Sequence, residues 1–139
     1  MIILDTNVVS EPMRPAGDAA VRAWLDRQVA ETLYLTATSL SELLLGIEVL
    51  QNGKRKDGLG AALAELLTNL FGSRILPFDR QAAQAYAPLV GRARAGGRSI
   101  SVADGQIAAI AAVHGFAVAT RDDVPFEAAG IPVINPWER

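Results

Sequence analysis

The sequence predicts an α/β domain with a mostly parallel central sheet and helices on both of its faces. Three observations predict it. Short β-branched runs alternate with stretches of helical periodicity along the whole chain, the pattern of strands joined by crossover helices. The first run, Ile2-Ile3-Leu4, is apolar without alternation, as suits a strand buried on both faces. At 139 residues, half of them hydrophobic, the chain fits one domain, 1–139, able to bury an ordinary core.

In chain order, Ile2-Ile3-Leu4 delivers Asp5-Thr6-Asn7 to the carboxyl edge of the sheet, where open α/β sheets bind ligands. Pro12 and Pro15 interrupt the segment after Asn7. A helix is predicted from Asp18 to Val29, with Val21, Trp24, Leu25 and Val29 on one face. Thr32 to Thr36 reads as the second strand. Ser39-Leu40-Ser41-Glu42 opens an apolar helix, Leu43 to Leu50, whose leucines cover more than one stripe, so it is buried on two sides or forms an interface. Asn52 to Gly58 reads as a basic loop.

Leu59, Leu63, Leu66, Leu67 and Leu70 keep helical spacing up to Gly72. Arg74 to Phe78 is a strand ending at Asp79, which caps a helix from Gln81 to Ala95. Gly96-Gly97 breaks that helix, and Ser101-Val102-Ala103-Asp104 opens another that runs to His114, with Gly115 just past its end. Strands at Ala117 to Ala119 and Ile131 to Ile134 complete the chain, and Trp137 pins the last. Trp24 reads as core, and His114 as a structural residue at a helix end.

Composition narrows the chemistry. Net charge is −2, so no overall basic field attracts nucleic acid. Positive charge is local, at Lys54-Arg55-Lys56, at Arg92, Arg94 and Arg98, and at Arg121. Zero cysteines exclude disulfides and thiolate zinc sites. The longest apolar stretch, Ile107 to Val113, is too short to cross a bilayer, and no signal peptide is recognisable, which points to the cytoplasm.

Four acids carry the chemical argument. Asp5 ends the first strand, and Asp122 follows the strand Ala117 to Ala119. Glu42 and Asp104 occupy matching Ser-x-x-acid frames, Ser39 to Glu42 and Ser101 to Asp104, which read as capping boxes. Capping alone explains each residue singly, yet an acid in the first turn after a strand also lies at the edge that holds Asp5. Converging carboxylates repel one another and need a cation. A hard, oxygen-seeking ion such as Mg2+ or Mn2+ fits them. It would stabilise charge at phosphorus and supply hydroxide for in-line attack. Metal-dependent phosphodiester hydrolysis is the reaction class these residues suggest.

The motifs also carry a resemblance. Ile3-Leu4-Asp5-Thr6-Asn7-Val8, Ser41-Glu42-Leu43 with Gly46, Ala103-Asp104-Gly105, Ala119-Thr120-Arg121-Asp122 and Asn135-Pro136-Trp137 resemble a PIN-domain ribonuclease of the VapC type. Ser10-Glu11-Pro12, the Asn52 to Lys56 segment and Ile75 to Asp79 are most similar to the FitB-type subgroup. The resemblance implies the toxin of a type II toxin–antitoxin pair. It would be a Mg2+- or Mn2+-dependent RNase, dimeric or in a larger hetero-oligomer, silenced by a small antitoxin that alone contacts operator DNA. It also implies that Asp5, Glu42, Asp104 and Asp122 hold the metal, with Asp123 the alternative for the fourth position because Pro125 stands where many relatives place a later Asp. Thr6, Ser39, Thr120 and Arg121 would hold substrate or support the acids.

Two other functions compete. Aspartyl-phosphate chemistry, as in HAD-type phosphatases or receiver domains, uses a strand-end Asp backed by a second acid and a late Lys. Here Asn7 fills the second place, and the only lysines are Lys54 and Lys56. The other is a catalytically weak PIN scaffold that binds antitoxin and acts as a co-repressor.

Overall fold

The computed structural model describes residues 1–138. Five strands form one sheet: β1 Ile2–Leu4, β2 Leu33–Thr36, β3 Ile75–Leu76, β4 Ala117–Ala119 and β5 Val133–Ile134, in the order β3-β2-β1-β4-β5. Every pairing is parallel. Parallel neighbours require crossovers, and seven helices supply or extend them: α1 Thr6–Ser10, α2 Ala19–Asp26, α3 Ala37–Glu48, α4 Lys54–Leu66, α5 Arg80–Ala95, α6 Val102–His114 and α7 Val124–Ala128.

Strand alternation splits the core into two layers. Ile3 and Val118 face one layer with Leu89, Ile107 and Phe126, under α5, α6 and α7. Leu4, Leu33, Leu35 and Ala119 face the other with Val8, Val21 and Phe71. The prediction of helices on both faces therefore holds. Trp24 and Trp137 pack against the second layer, as expected for a core residue and a pin at the last strand.

Several boundaries differ from expectation. The first helix of any length, α2, stops at Asp26 rather than Val29, and Val29 is exposed. Two helices of five residues, α1 and α7, were not foreseen, because so short a helix shows no periodicity. Lys54 to Gly58 is not a loop but the first turn of α4, started by Gly53. Lys56 stabilises this start by donating to the Glu48 carbonyl at 3.0 Å and to Asn52 Oδ1 at 3.3 Å. After Leu66 the chain widens into a π-helical turn, Leu67–Phe71, closed by Gly72 at φ +55.

The Ser39 capping box is also corrected. Thr36 caps α3 by accepting from the Ser39 amide at 3.0 Å, so the helix begins two residues before Ser39. Ser39 is buried inside the helix and its hydroxyl has no protein partner among the described residues. Of the two alternatives for this apolar helix, burial on two sides is excluded, since Leu44, Leu45 and Val49 are more than half exposed.

Candidate active site

Asp5 is the centre of the edge formed by β1 and β4. It is buried and caps α1, accepting from the Thr6 amide at 2.8 Å. Both readings of this residue, cap and site acid, are therefore compatible in one geometry. Its other oxygen, Oδ2, accepts from the Thr120 hydroxyl at 2.9 Å. Thr120 is fully buried, and its Oγ1 also accepts from the Asp122 amide at 3.1 Å and lies 3.5 Å from Asn7 Nδ2. Asn7 Oδ1 in turn accepts from the Arg121 amide at 3.3 Å. One hydroxyl thus ties the end of β1 to the turn after β4.

The other two acids arrive on helices. Asp104 lies in the first turn of α6, where the Ser101 hydroxyl accepts from its amide at 3.1 Å. Gly105 lets this turn approach α5: a Cβ there would lie 2.7 Å from the Tyr86 ring and 3.0 Å from Val90. Glu42 sits one turn further into α3 than a capping acid would, with its residue largely exposed. Thr38 on α3 donates to Gln106 on α6 at 2.9 Å, holding the two acid-bearing helices together.

Electrostatics shows that the acids sense one another. Burial raises the Asp5 carboxyl above its ordinary value, and the Asp122 charge adds to the rise. Glu42, although its residue is exposed, is raised by partial desolvation of its carboxyl and then by Asp5 and Asp104. Asp104 is raised by burial, by Asp5 and by Asp122. Of Asp122 and Asp123, only Asp122 is among the causes of these shifts. Yet no three His, Asp or Glu side chains among the described residues stand close enough to form a finished metal centre. The two observations agree physically, because repulsion acts over longer distances than coordination and keeps bare carboxylates apart. The donor set is all oxygen, which suits a hard cation and excludes soft-metal chemistry.

The remaining candidates separate. Thr6 lies beside Asp5, its hydroxyl 3.4 Å from Oδ1. Arg121 neither pairs with Asp123 nor reaches the acids; its guanidinium lies 5.2 Å from the centroid of the Trp137 ring. His114 stacks at a tilt on Phe116, 5.3 Å between ring centroids, and Asp79 caps α5 through the Ala82 amide. Asn7 is the contributor that sequence reasoning missed, although it is part of the Asp-Thr-Asn motif.

Comparison with known proteins decides the family. The family description "PIN domain" matches residues 2–131. The chain belongs to the PIN-domain family. Over 99% of both chains, this PIN domain is 51% identical to "VapC ribonuclease Y4jK" of Sinorhizobium fredii and 48% identical to "Toxin FitB" of Neisseria gonorrhoeae. The expected likeness to VapC-type and FitB-type proteins is thereby confirmed. Among solved structures, one of FitAB bound to an IR36 DNA fragment matches with a TM-score of 0.95 and 46% identity, covering 100% of this PIN domain and 97% of that chain. A FitAcB structure from Neisseria gonorrhoeae matches with a TM-score of 0.90 and 47% identity over 100% of both chains.

Proposed function

We propose that this PIN domain is the toxin of a type II toxin–antitoxin module, a divalent-metal-dependent endoribonuclease that hydrolyses RNA phosphodiester bonds. The observation that carries this reading is the gathering of four carboxylates from four separate segments on one sheet edge, where three are raised by desolvation and by mutual repulsion. The names of relatives about half identical over their whole length support the assignment to RNA.

Asp5, Glu42, Asp104 and Asp122 would hold Mg2+ or Mn2+. The bound ion would offset their repulsion and lend Lewis acidity to the scissile phosphate. The protein's own groups fix the acids beforehand. The Thr120 hydroxyl and Thr6 amide hold both oxygens of Asp5, Ser101 holds the turn that carries Asp104, and Asn7 steadies the backbone between Thr120 and Asp122. Thr6, whose hydroxyl lies 3.4 Å from Asp5 Oδ1, would orient water or a phosphate oxygen, whereas Ser39, fully buried, would support the acids only from inside the fold.

A small antitoxin is the proposed partner, with operator DNA contacted only through it, in a homodimer or larger hetero-oligomer in the cytoplasm. The FitAB–DNA likeness supports this arrangement. No helix among the described residues is long and apolar enough to cross a membrane. The exposed apolar residues of α3 fit antitoxin binding both here and under the alternative, a weakly catalytic scaffold that acts mainly as an antitoxin-binding co-repressor.

The test is cleavage of a cellular RNA pool by purified, antitoxin-free protein, with Mg2+ or Mn2+ against EDTA and with Asp104→Asn in parallel. Metal-dependent cutting that the substitution removes is the expected result. Equal cutting in EDTA, or by the folded variant, would refute it. Absent cutting together with tight antitoxin binding would favour the co-repressor.

A further inference from the structure

One cleft of the domain has one of the four acids, Glu42, in its wall. It is walled by α3 on one side, by the start of α4 on another and by the segment Ser10 to Ala16 on a third, with a volume near 770 Å³. Asp5, Asp104 and Asp122 do not line it, so Glu42 is its link to the proposed catalytic edge. Its lining runs along α3 from Glu42 to Ile47, roughly 7.5 Å at about 1.5 Å per residue, and on to Leu50 just past the helix end. The third wall is held in place by buried Glu11, which accepts from the Asp18 amide at 2.7 Å.

Three features of this cleft have no structural explanation. Lys54 and Arg55 line it without an ion pair among the described residues, whereas Arg14, also in its wall, pairs with Glu11 at 3.5 Å. Lys54 and Arg55 also occupy the first turn of α4, where the helix dipole disfavours positive charge. Finally, Gly46 on α3 and Gly58 on α4 both line the cleft within helices, where glycine is an unfavourable choice. A Cβ at either would meet nothing within 4 Å, so neither glycine serves internal packing. Local rules broken together on facing walls mark a surface shaped for something outside the chain.

Resting on the nuclease reading, we infer that this cleft seats the single-stranded RNA flanking the scissile phosphate, with Lys54 and Arg55 taking backbone phosphates. Unpaired cations beside an anionic metal site suit a polyanion that must cross from one to the other. The phosphates neutralise the basic end, and the cation held by the acids neutralises the phosphate being cut. Gly46 and Gly58 leave bare helix backbone so the strand can approach closely. Ile47, Leu50 and Leu59 offer the bases an apolar wall that reads no sequence.

The experiment measures binding of a fluorescein-labelled, random-sequence 16-nucleotide RNA by anisotropy across a salt series. It uses Asp104→Asn protein in Mg2+, so that the strand stays intact. Adding Lys54→Gln and Arg55→Gln is expected to weaken binding on the order of tenfold and to lower the log–log salt slope by about 1.4, two phosphate contacts on single-stranded nucleic acid. Arg27→Gln, an exposed cation at the far end of α2, should leave both quantities unchanged. Gly46→Leu provides a second route that touches no charge. It should keep or raise the thermal midpoint, because leucine favours helix, while weakening RNA binding.

Unchanged affinity and slope in both variants, alongside normal cleavage by the unsubstituted protein, would overturn the inference and leave the nuclease standing. Loss of antitoxin binding with RNA binding intact would overturn it too, and identify a protein groove instead. If the unsubstituted protein neither binds nor cuts RNA, the nuclease reading itself fails.

Discussion

The helices α3 and α6 carry the same four-residue frame, Ser39-Leu40-Ser41-Glu42 and Ser101-Val102-Ala103-Asp104, and use it differently. Ser101 is a true N-cap, exposed, with Asp104 in the first helical turn. Ser39 is three residues into a helix already capped by Thr36, and its hydroxyl is buried without a protein partner. The same frame therefore places one acid in the first turn, beside the dipole, and the other a turn later on a mostly exposed face. A motif fixes spacing along a helix, but the cap upstream decides where on that helix the motif falls.

The largest expected effect separates the two acids. If the proposed chemistry holds, Asp104→Asn should lower RNA cleavage on the order of 10³-fold, the scale of several kcal/mol of lost metal-dependent stabilisation. Glu42→Gln should cost less, about one order of magnitude, because its longer and more exposed side chain is less fixed before the ion binds. Single-turnover rates at saturating Mg2+ measure both. Equal losses would show that the two frames converge once metal is present.

Stability should divide the caps next. Thr36→Ala and Ser101→Ala each remove a side chain that accepts from a helix amide, costing about 1 kcal/mol, and the buried Thr36 should cost the more of the two. Ser39→Ala should behave oppositely, neutral or stabilising by up to about 1 kcal/mol, because it deletes an orphaned buried hydroxyl. Urea unfolding in EDTA reads all three. Should Ser39→Ala destabilise as Ser101→Ala does, the hydroxyl has a partner after all. Lower cleavage with higher stability would place Ser39 in the site.

The same contrast explains what the sequence revealed. The strands β1 and β4 and the helix α6 were legible because apolar runs and Gly115 signal locally. Thr36 was hidden as a cap because it ends a strand whose alternation accounts for it. The start of α4 was misread because Asn52-Gly53 and three cations are loop signals, and a helix that opens with cations contradicts its own dipole. Asp5, Glu42, Asp104 and Asp122 stood out through their places after strands and at helix starts. The role of Asn7 did not, since its contacts with Thr120 and Arg121 span 113 and 114 residues and leave no local trace.

The smallest expected effect concerns pH and discloses what the acids cost the fold without metal. Asp5, Glu42 and Asp104 are all raised in the folded protein, first by desolvation and then by neighbouring acids. The native state therefore holds protons that the unfolded chain has already released. Their contribution to stability is fully present below the ordinary carboxyl values, 3.8 for aspartate and 4.5 for glutamate, and is lost as pH rises through the raised ones. At neutral pH the metal-free protein bears the whole penalty. In EDTA, Asp104→Asn should consequently fall less in thermal midpoint than the unsubstituted protein between pH 4 and pH 7. Added Mg2+ should raise the unsubstituted midpoint more at pH 7 than at pH 4, because a cation binds the ionised acids. Parallel pH profiles for the two proteins would mean that the carboxylates do not act on one another, and the argument for a shared cation would lose its electrostatic basis.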